Sequence, residues 1–224
     1  GVAVGENPEG PFTPMDKPIE GSFSIDPAVY KDDNGEYYMY FGGIWGGQLQ
    51  RWRNGIFNPN NPTSPVAFLP NDDEPALLPF VAKMSDDLLE FAEKPREVQI
   101  LDEKGKLLLA GDNERRFFEA AWMHKYKGKY YFSYSTGDTH FICYAIGDNP
   151  YGPFTYKGKI LNPVVGWTSH HSICEFKGKW YLFYHDSSLS KGVTHLRSVK
   201  IAEIQYDKDG LIKTLDPYND FSIV

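Results

Sequence analysis

Several features that would settle the class of this chain at once are missing from it. It has two cysteines, Cys143 and Cys174, in 224 residues, too few for a disulfide scaffold or a thiolate metal cluster. Both read as buried strand residues, with a Cys143–Cys174 bridge as the alternative. Its longest apolar stretches, such as residues 141–146, fall far short of the roughly 18 residues a membrane-spanning helix needs, so no membrane helix is expected. The opening GVAVGENPEG has no basic segment followed by an apolar one, and no export signal is visible. Basic residues are not in excess: 23 Lys+Arg face 30 Asp+Glu, giving a net charge of −7, and they are scattered. A surface for phosphate backbones is therefore excluded, and no nucleic-acid partner is expected. The two free cysteines and absent signal favour the cytoplasm over secretion, although a chain starting at Gly1 leaves a removed leader open.

What the chain has in abundance is aromatic side chains. Five Trp, 15 Tyr and 15 Phe make up 16% of it, alongside 21 Gly and 16 Pro. Rings favour strands, while Gly and Pro punctuate them with turns, so the expected class is all-β. With 41% hydrophobic and 24% charged residues the composition is that of a folded chain, and a single domain spanning 1–224 is the default.

Three segments repeat: DNGEYYMYFGG around Gly35, YKGKYYFSYS around Gly128 and FKGKWYLFYHD around Gly178. Each is a glycine turn followed by alternating aromatic residues, the pattern of a hairpin with a half-buried second strand. A second pair, GENPEGPFTP at 5–14 and GDNPYGPFTY at 147–156, also repeats. Gly35 and Gly128 stand 93 residues apart, Gly128 and Gly178 only 50. One unit is then about 50 residues, the period of a β-propeller blade; a β-sandwich is the competing architecture. The longer interval carries residues 43–81, a loop rich in Asn, Pro, Gly and Asp, and loops of that length are commonly functional. Residues 85–93 hint at a helix or at a turn that feeds a strand over 96–101.

In a propeller, ligands meet the chain at one mouth of the central channel, where each blade's innermost strand begins. Asp26, Glu119 and His170 precede their hairpin glycines by nine, nine and eight residues. Equivalent places in successive blades would gather these side chains near the axis. Two carboxylates and a histidine beside aromatic rings suit glycoside hydrolysis, in which one carboxylic acid protonates the leaving oxygen and another carboxylate activates water. A turn role for Asp26 and a solvated strand-edge role for Glu119 are the plainer alternatives. His171 reads as a core or supporting residue, and Trp122 as strand packing.

Over the segments IDPAVYKDDNGEYYMYFGGIWGGQLQRW, FFEAAWMHKYKGKYYFSYSTGDTH and TSHHSICEFKGKWYLFYHD, the chain resembles family 43 of the glycoside hydrolases, five-bladed propellers that act by inversion. It is most similar to the β-xylosidase and α-L-arabinofuranosidase branch. The resemblance implies that Glu119 is the general acid and that Asp26 raises its pKa and orients it. It also implies that His170 helps hold a calcium ion in the channel, largely through water, and that Arg197 reaches the sugar. Trp45 opens the long loop and could stack on a sugar ring, with core packing as its alternative; His140 is placed in the pocket lining. The family's first blade, with its aspartate base, has no counterpart here, because GVAV is residues 1–4. The expectation is thus about three and a half blades of a five-bladed propeller, completed by a companion segment that carries the base. The implied reaction removes terminal β-D-xylosyl or α-L-arabinofuranosyl residues from plant-wall oligosaccharides, with the long loop narrowing the entrance. A sugar-binding remnant without catalysis and a purely structural protein are the alternatives.

Overall fold

The computed structural model describes residues 1–60, 67–167 and 170–219. Among the described residues its regular elements are strands grouped in four sheets, with three short 3₁₀ helices. A two-stranded ribbon pairs β1 (Ala3–Val4) with β2 (Thr13–Pro14). The next sheet runs β3 (Ala28–Lys31), β4 (Tyr37–Phe41), β5 (Phe80–Lys83) and β6 (Arg96–Glu97), all antiparallel. The largest contains β8 (Glu119–Tyr126), β9 (Lys129–Ser135), β10 (Ile142–Gly147) and β11 (Phe154–Leu161), with β7 (Ile100–Leu101) added in parallel at its outer edge. The last is β12 (His171–Phe176), β13 (Lys179–Asp186) and β14 (Ser198–Ile204).

The three repeated glycine segments form the hairpins β3–β4, β8–β9 and β12–β13. Gly35, Gly128 and Gly178 have φ of 85°, 77° and 77°, a left-handed turn that glycine adopts without a Cβ penalty. The second repeat is equally literal: Gly10 and Gly152 have φ of 82° and 76°, and both precede a cis proline. Period-two alternation then places the rings. On β9, Tyr130, Phe132 and Tyr134 face a core shared with the β3–β6 sheet, while Tyr131 faces a second core shared with β12–β14. The largest sheet is therefore covered on both faces by its neighbours. Its first strand β8 lies beside β3 on one side and β12 on the other, so the starts of three inner strands converge.

Three expectations are corrected, and the choice left open at residues 85–93 is decided in favour of a turn. Residues 96–101 are not one strand: β6 ends at Glu97 and the chain crosses between sheets. The Val98 N–H donates to Pro79 O (2.8 Å), and the Gln99 carbonyl accepts from Phe154 N–H (2.9 Å) on the next sheet. Residues 85–93 form turns, closed by a Met84–Phe91 bridge. The segment 43–81 is partly regular, with short 3₁₀ helices at Trp45–Gly47 and Leu49–Gly55, and its residues 61–66 lie outside the described residues. Cys143 is buried, but Cys174 is exposed, on the side of β12 turned from the core; both thiols are free, so there is no bridge. No helix among the described residues is long and apolar enough to cross a membrane.

Candidate active site

Glu119 is the first residue of β8, and only Pro27 separates Asp26 from β3. Two local distortions aim them at each other. Asp26 and Ala120 both sit in the left-handed region, at φ 58° and 62°, an arrangement costing on the order of 1 kcal/mol for a residue with a Cβ. Opposite them the β8–β9 ladder slips: Glu119 pairs with Ser135 but Trp122 with Ser133, the bulge that redirects a side chain. The twisted peptide is put to use, since the Ala120 N–H donates to Asp26 Oδ2 at 3.1 Å. Gly43 passes so close that a Cβ there would lie 2.6 Å from Ile25 and 3.4 Å from the Glu119 Cβ.

His170 completes the group. Its Nε2 lies 3.3 Å from Asp26 Oδ2 and 3.9 Å from Glu119 Oε1. The three side chains that the sequence placed at equivalent blade positions thus come together, each offering an atom within 4.8 Å of the others. Glu119 is 7% exposed, and its Oε1 is buried without a hydrogen-bond partner. Burial first and the neighbouring Asp26 charge second push its carboxyl up to about 7, against a smaller downward pull from Arg197. Asp26 is itself raised by burial, opposed by His170 and the Ala120 N–H, while burial lowers His170. The spacing of the two carboxyls also has a chemical consequence. Inversion requires roughly 6.5–9.5 Å between acid and base to admit water. Asp26 and Glu119 are closer than that, so Asp26 can tune the acid but not serve as its base.

Could the trio hold a metal? Calcium takes six to eight oxygen ligands, and here two carboxylates and an imidazole offer one atom each. A cation bound directly to Glu119 would also keep that carboxyl ionised and so remove its proton. The trio does not fit as a direct ligand set. His170 could serve only an ion that keeps most of its waters, adding positive charge beneath the pocket. Among the described residues no other group of three His, Cys, Asp or Glu side chains is placed to bind a metal.

Arg197 stands at the end of the loop between β13 and β14, exposed, with Nε donating to Thr194 O at 2.9 Å. Its charge bears on Glu119, His170 and His185. Trp45 stacks on Trp167 with centroids 5.9 Å apart and planes 4° from parallel, and His140 meets the same ring edge-on at 5.0 Å. Trp45 and His140 are therefore joined by a third ring, and Trp45 also packs against Phe118. A cavity of about 160 Å³ opens beside Trp45, lined by Phe118, Arg116 and Asp138 among others; it adjoins the carboxylate group without containing it. His171, read as a core or supporting residue, holds its Nε2 2.7 Å from Ser133 Oγ. Trp122 packs as expected and donates from Nε1 to Ile173 O (3.1 Å).

Two residues were not singled out from the sequence. His185 accepts from the His170 N–H at 3.4 Å, with the rings stacked 6.5 Å apart, and burial lowers its pKa to about 4. A histidine inside the repeated aromatic segment FKGKWYLFYHD was the available signal. Trp167 lies three residues before His170, in VGWTSHH, and that proximity was its signal.

The sequence pattern of glycosyl hydrolases family 43 matches residues 80–212. A curated relative from Bacteroides ovatus, named xylosidase/arabinosidase, is 64% identical over 216 residues, 96% of this chain and 65% of its own length. A xylosidase/arabinosidase 43A from Humicola insolens is 62% identical, covering 97% of this chain and 67% of its own. Among solved structures, CoXyl43, a family 43 β-xylosidase/α-arabinofuranosidase from a compost microbial metagenome, superposes with a TM-score of 0.92 at 63% identity. That structure, in complex with xylotriose and in calcium-free form, is matched over 97% of this chain and 66% of its own. The chain spans about two thirds of the length of these three relatives. On the matching pattern and on identities above 60%, the chain belongs to glycosyl hydrolase family 43.

Proposed function

We propose that this chain supplies the acid side of a glycosidase that releases terminal β-D-xylosyl or α-L-arabinofuranosyl residues from plant-wall oligosaccharides with inversion. The observation that carries the reading is the buried Glu119 carboxyl, one oxygen unpartnered and its pKa near 7 beside a second carboxylate. Such a group is half protonated at neutral pH and can give its proton to a departing glycosidic oxygen. Asp26 keeps that proton in place, and Arg197 anchors the pentose. The rings of Trp45 and Trp167, with His140, offer an apolar platform for a sugar face. Asp26 is too close to act as base, so the base belongs to the third of the relatives' length that this chain does not match, in a ring completed to five blades. A water-rich calcium ion near His170 would steady the site electrostatically without entering a step.

The chain taken alone favours a second reading. The group around Glu119 pairs that acid with a carboxylate, Asp26, that stands too close to be its base, which suits sugar binding without turnover. The test is Glu119→Gln in the full-length protein, assayed on two aryl β-xylosides. With 4-nitrophenol as leaving group, kcat should fall about 10²–10⁴-fold, the usual contribution of a general acid. With 2,4-dinitrophenol, which leaves without a proton, the loss should be far smaller. Equal turnover of wild type and variant on the 4-nitrophenyl substrate would refute the acid assignment.

A further inference from the structure

The segment 187–197 reaches from β13 to β14 and ends in Arg197, and its outer surface offers nothing to pack it down. Leu189 is 80% exposed and Leu196 56%. It is held instead by polar contacts. Asp186, the last residue of β13, is 3% exposed and pairs across the ladder with Ser198, the first residue of β14. Its carboxylate grips both ends of the segment. Ser188 donates from its N–H to Oδ1 at 3.2 Å and from Oγ to both oxygens at 2.9 Å. From the far end, Ser198 Oγ donates to Oδ1 at 3.0 Å. The Lys200 ammonium stands 3.8 Å away. Inside the segment Ser190 Oγ lies 2.9–3.2 Å from the carbonyls of Ser187, Val193 and Leu196 and can donate to one of them, and the Thr194 carbonyl receives the Arg197 Nε–H. Ser187 ties the whole to the rest of the fold through Val165 O (2.8 Å).

We infer that Asp186 is a positioning residue: by clamping Ser188 and Ser198 it fixes the segment that presents Arg197 to the site formed by Asp26, Glu119 and His170. A buried carboxylate is costly to keep unless its lone pairs are filled. Here they are filled by donors from the two ends of one functional segment. Were its role to hold β13 to β14, the seven ladder pairs of that hairpin would serve without it. The inference rests on the reading that Arg197 contacts the sugar, and the experiment separates the two.

The experiment is a double-mutant cycle in the full-length protein, reading kcat/KM for 4-nitrophenyl β-xyloside and the thermal midpoint. Arg197→Ala should lower kcat/KM about 10- to 100-fold, the range for a lost charged hydrogen bond. Asp186→Ala should lower it about tenfold, mainly through KM, and Asp186→Asn, which keeps an acceptor oxygen, should recover most of that loss. In the Arg197→Ala background Asp186→Ala should cost less than about twofold more, because residues acting through one contact are not additive. If Arg197→Ala is severe but Asp186→Ala costs the same factor in both backgrounds, Asp186 is structural only and the inference falls while the site reading stands. If Arg197→Ala changes nothing, the reading of Arg197 falls and this inference with it. If Asp186→Ala is too unstable to assay, the pair Ser188→Ala with Ser198→Ala, which removes the clamped hydroxyls and leaves Asp186 in place, carries the same cycle.

Discussion

Asp32 and Glu119 are equally little exposed, each at 7%, yet their carboxyls behave in opposite ways. Asp32 lies at the hairpin end of the inner strands. Burial pushes its pKa up, but the Tyr130 hydroxyl (2.6 Å), the Asp33 N–H (2.8 Å) and the Lys125 ammonium (3.0 Å) together outweigh burial and hold it below the ordinary value. Glu119 lies at the other end of β8 from Lys125, with no donor on Oε1 and a second carboxylate nearby, and its pKa rises to about 7. Low exposure therefore does not by itself make an acid: Glu119 is surrounded more deeply and lacks donors, whereas donors meet the charge of Asp32. One end of the strand uses its carboxylate as a fastening, and the other keeps one in an unfavourable state that chemistry can draw on.

Exchanging the features of the two ends should expose that contrast, first in stability. A carboxyl whose folded pKa is raised binds more protons folded than unfolded, so its contribution falls as pH rises from the ordinary 4.5 to about 7 and stays lost above that. At about 1.4 kcal/mol per pH unit the penalty reaches about 3 kcal/mol. Glu119→Gln, never charged, should leave the full-length protein more stable than wild type by up to that amount at pH 8, and little different at pH 4. Denaturant midpoints at the two pH values measure it, and a pH-independent difference would contradict the reading. Asp32→Asn should do the reverse. A depressed carboxylate stabilises above its unfolded pKa of 3.8 and loses that as pH falls through the lower folded value. The substitution should destabilise by about 2 kcal/mol at pH 7, the scale of a charged hydrogen bond. That deficit should shrink as the pH falls below 3.8, and kcat should not change.

How much of this was legible beforehand follows from where each signal resides. Gly35, Gly128 and Gly178 advertise their hairpins because a left-handed turn restricts residue choice locally. The inner-strand positions of Asp26, Glu119 and His170 follow from counting back from those turns, so the trio could be found from one sequence. The crossing at Val98 and Gln99 could not, because its reason is the acceptor and donor awaiting it on two different sheets. Cys174 misled for a similar cause: alternation along β12 gives two faces, and only the neighbouring sheet decides which is covered. Trp167 and His185 act through rings brought up from distant segments. Asp186 was hidden because its partners, Ser188 and Ser198, are ordinary polar residues until the loop closes on it.

The smallest effect probes the comparison most finely, because it moves Glu119 a single step toward the condition of Asp32. Asp26→Asn removes the neighbouring negative charge and keeps an oxygen to accept the Ala120 N–H. The general acid must be protonated to work, so activity falls as pH rises through its pKa. Burial, the larger cause, remains in the variant, and only the Asp26 contribution disappears. The alkaline limb of kcat/KM should therefore move down by about one pH unit, a roughly tenfold loss at pH 8 with far less at pH 5. Arg197 pulls the other way, so Arg197→Met should lower the overall rate while shifting the same limb upward. Opposite displacements by the two variants would locate the titrating group between them, at Glu119. A limb that stays fixed in both would mean that the pH dependence belongs to a group elsewhere in the assembled enzyme.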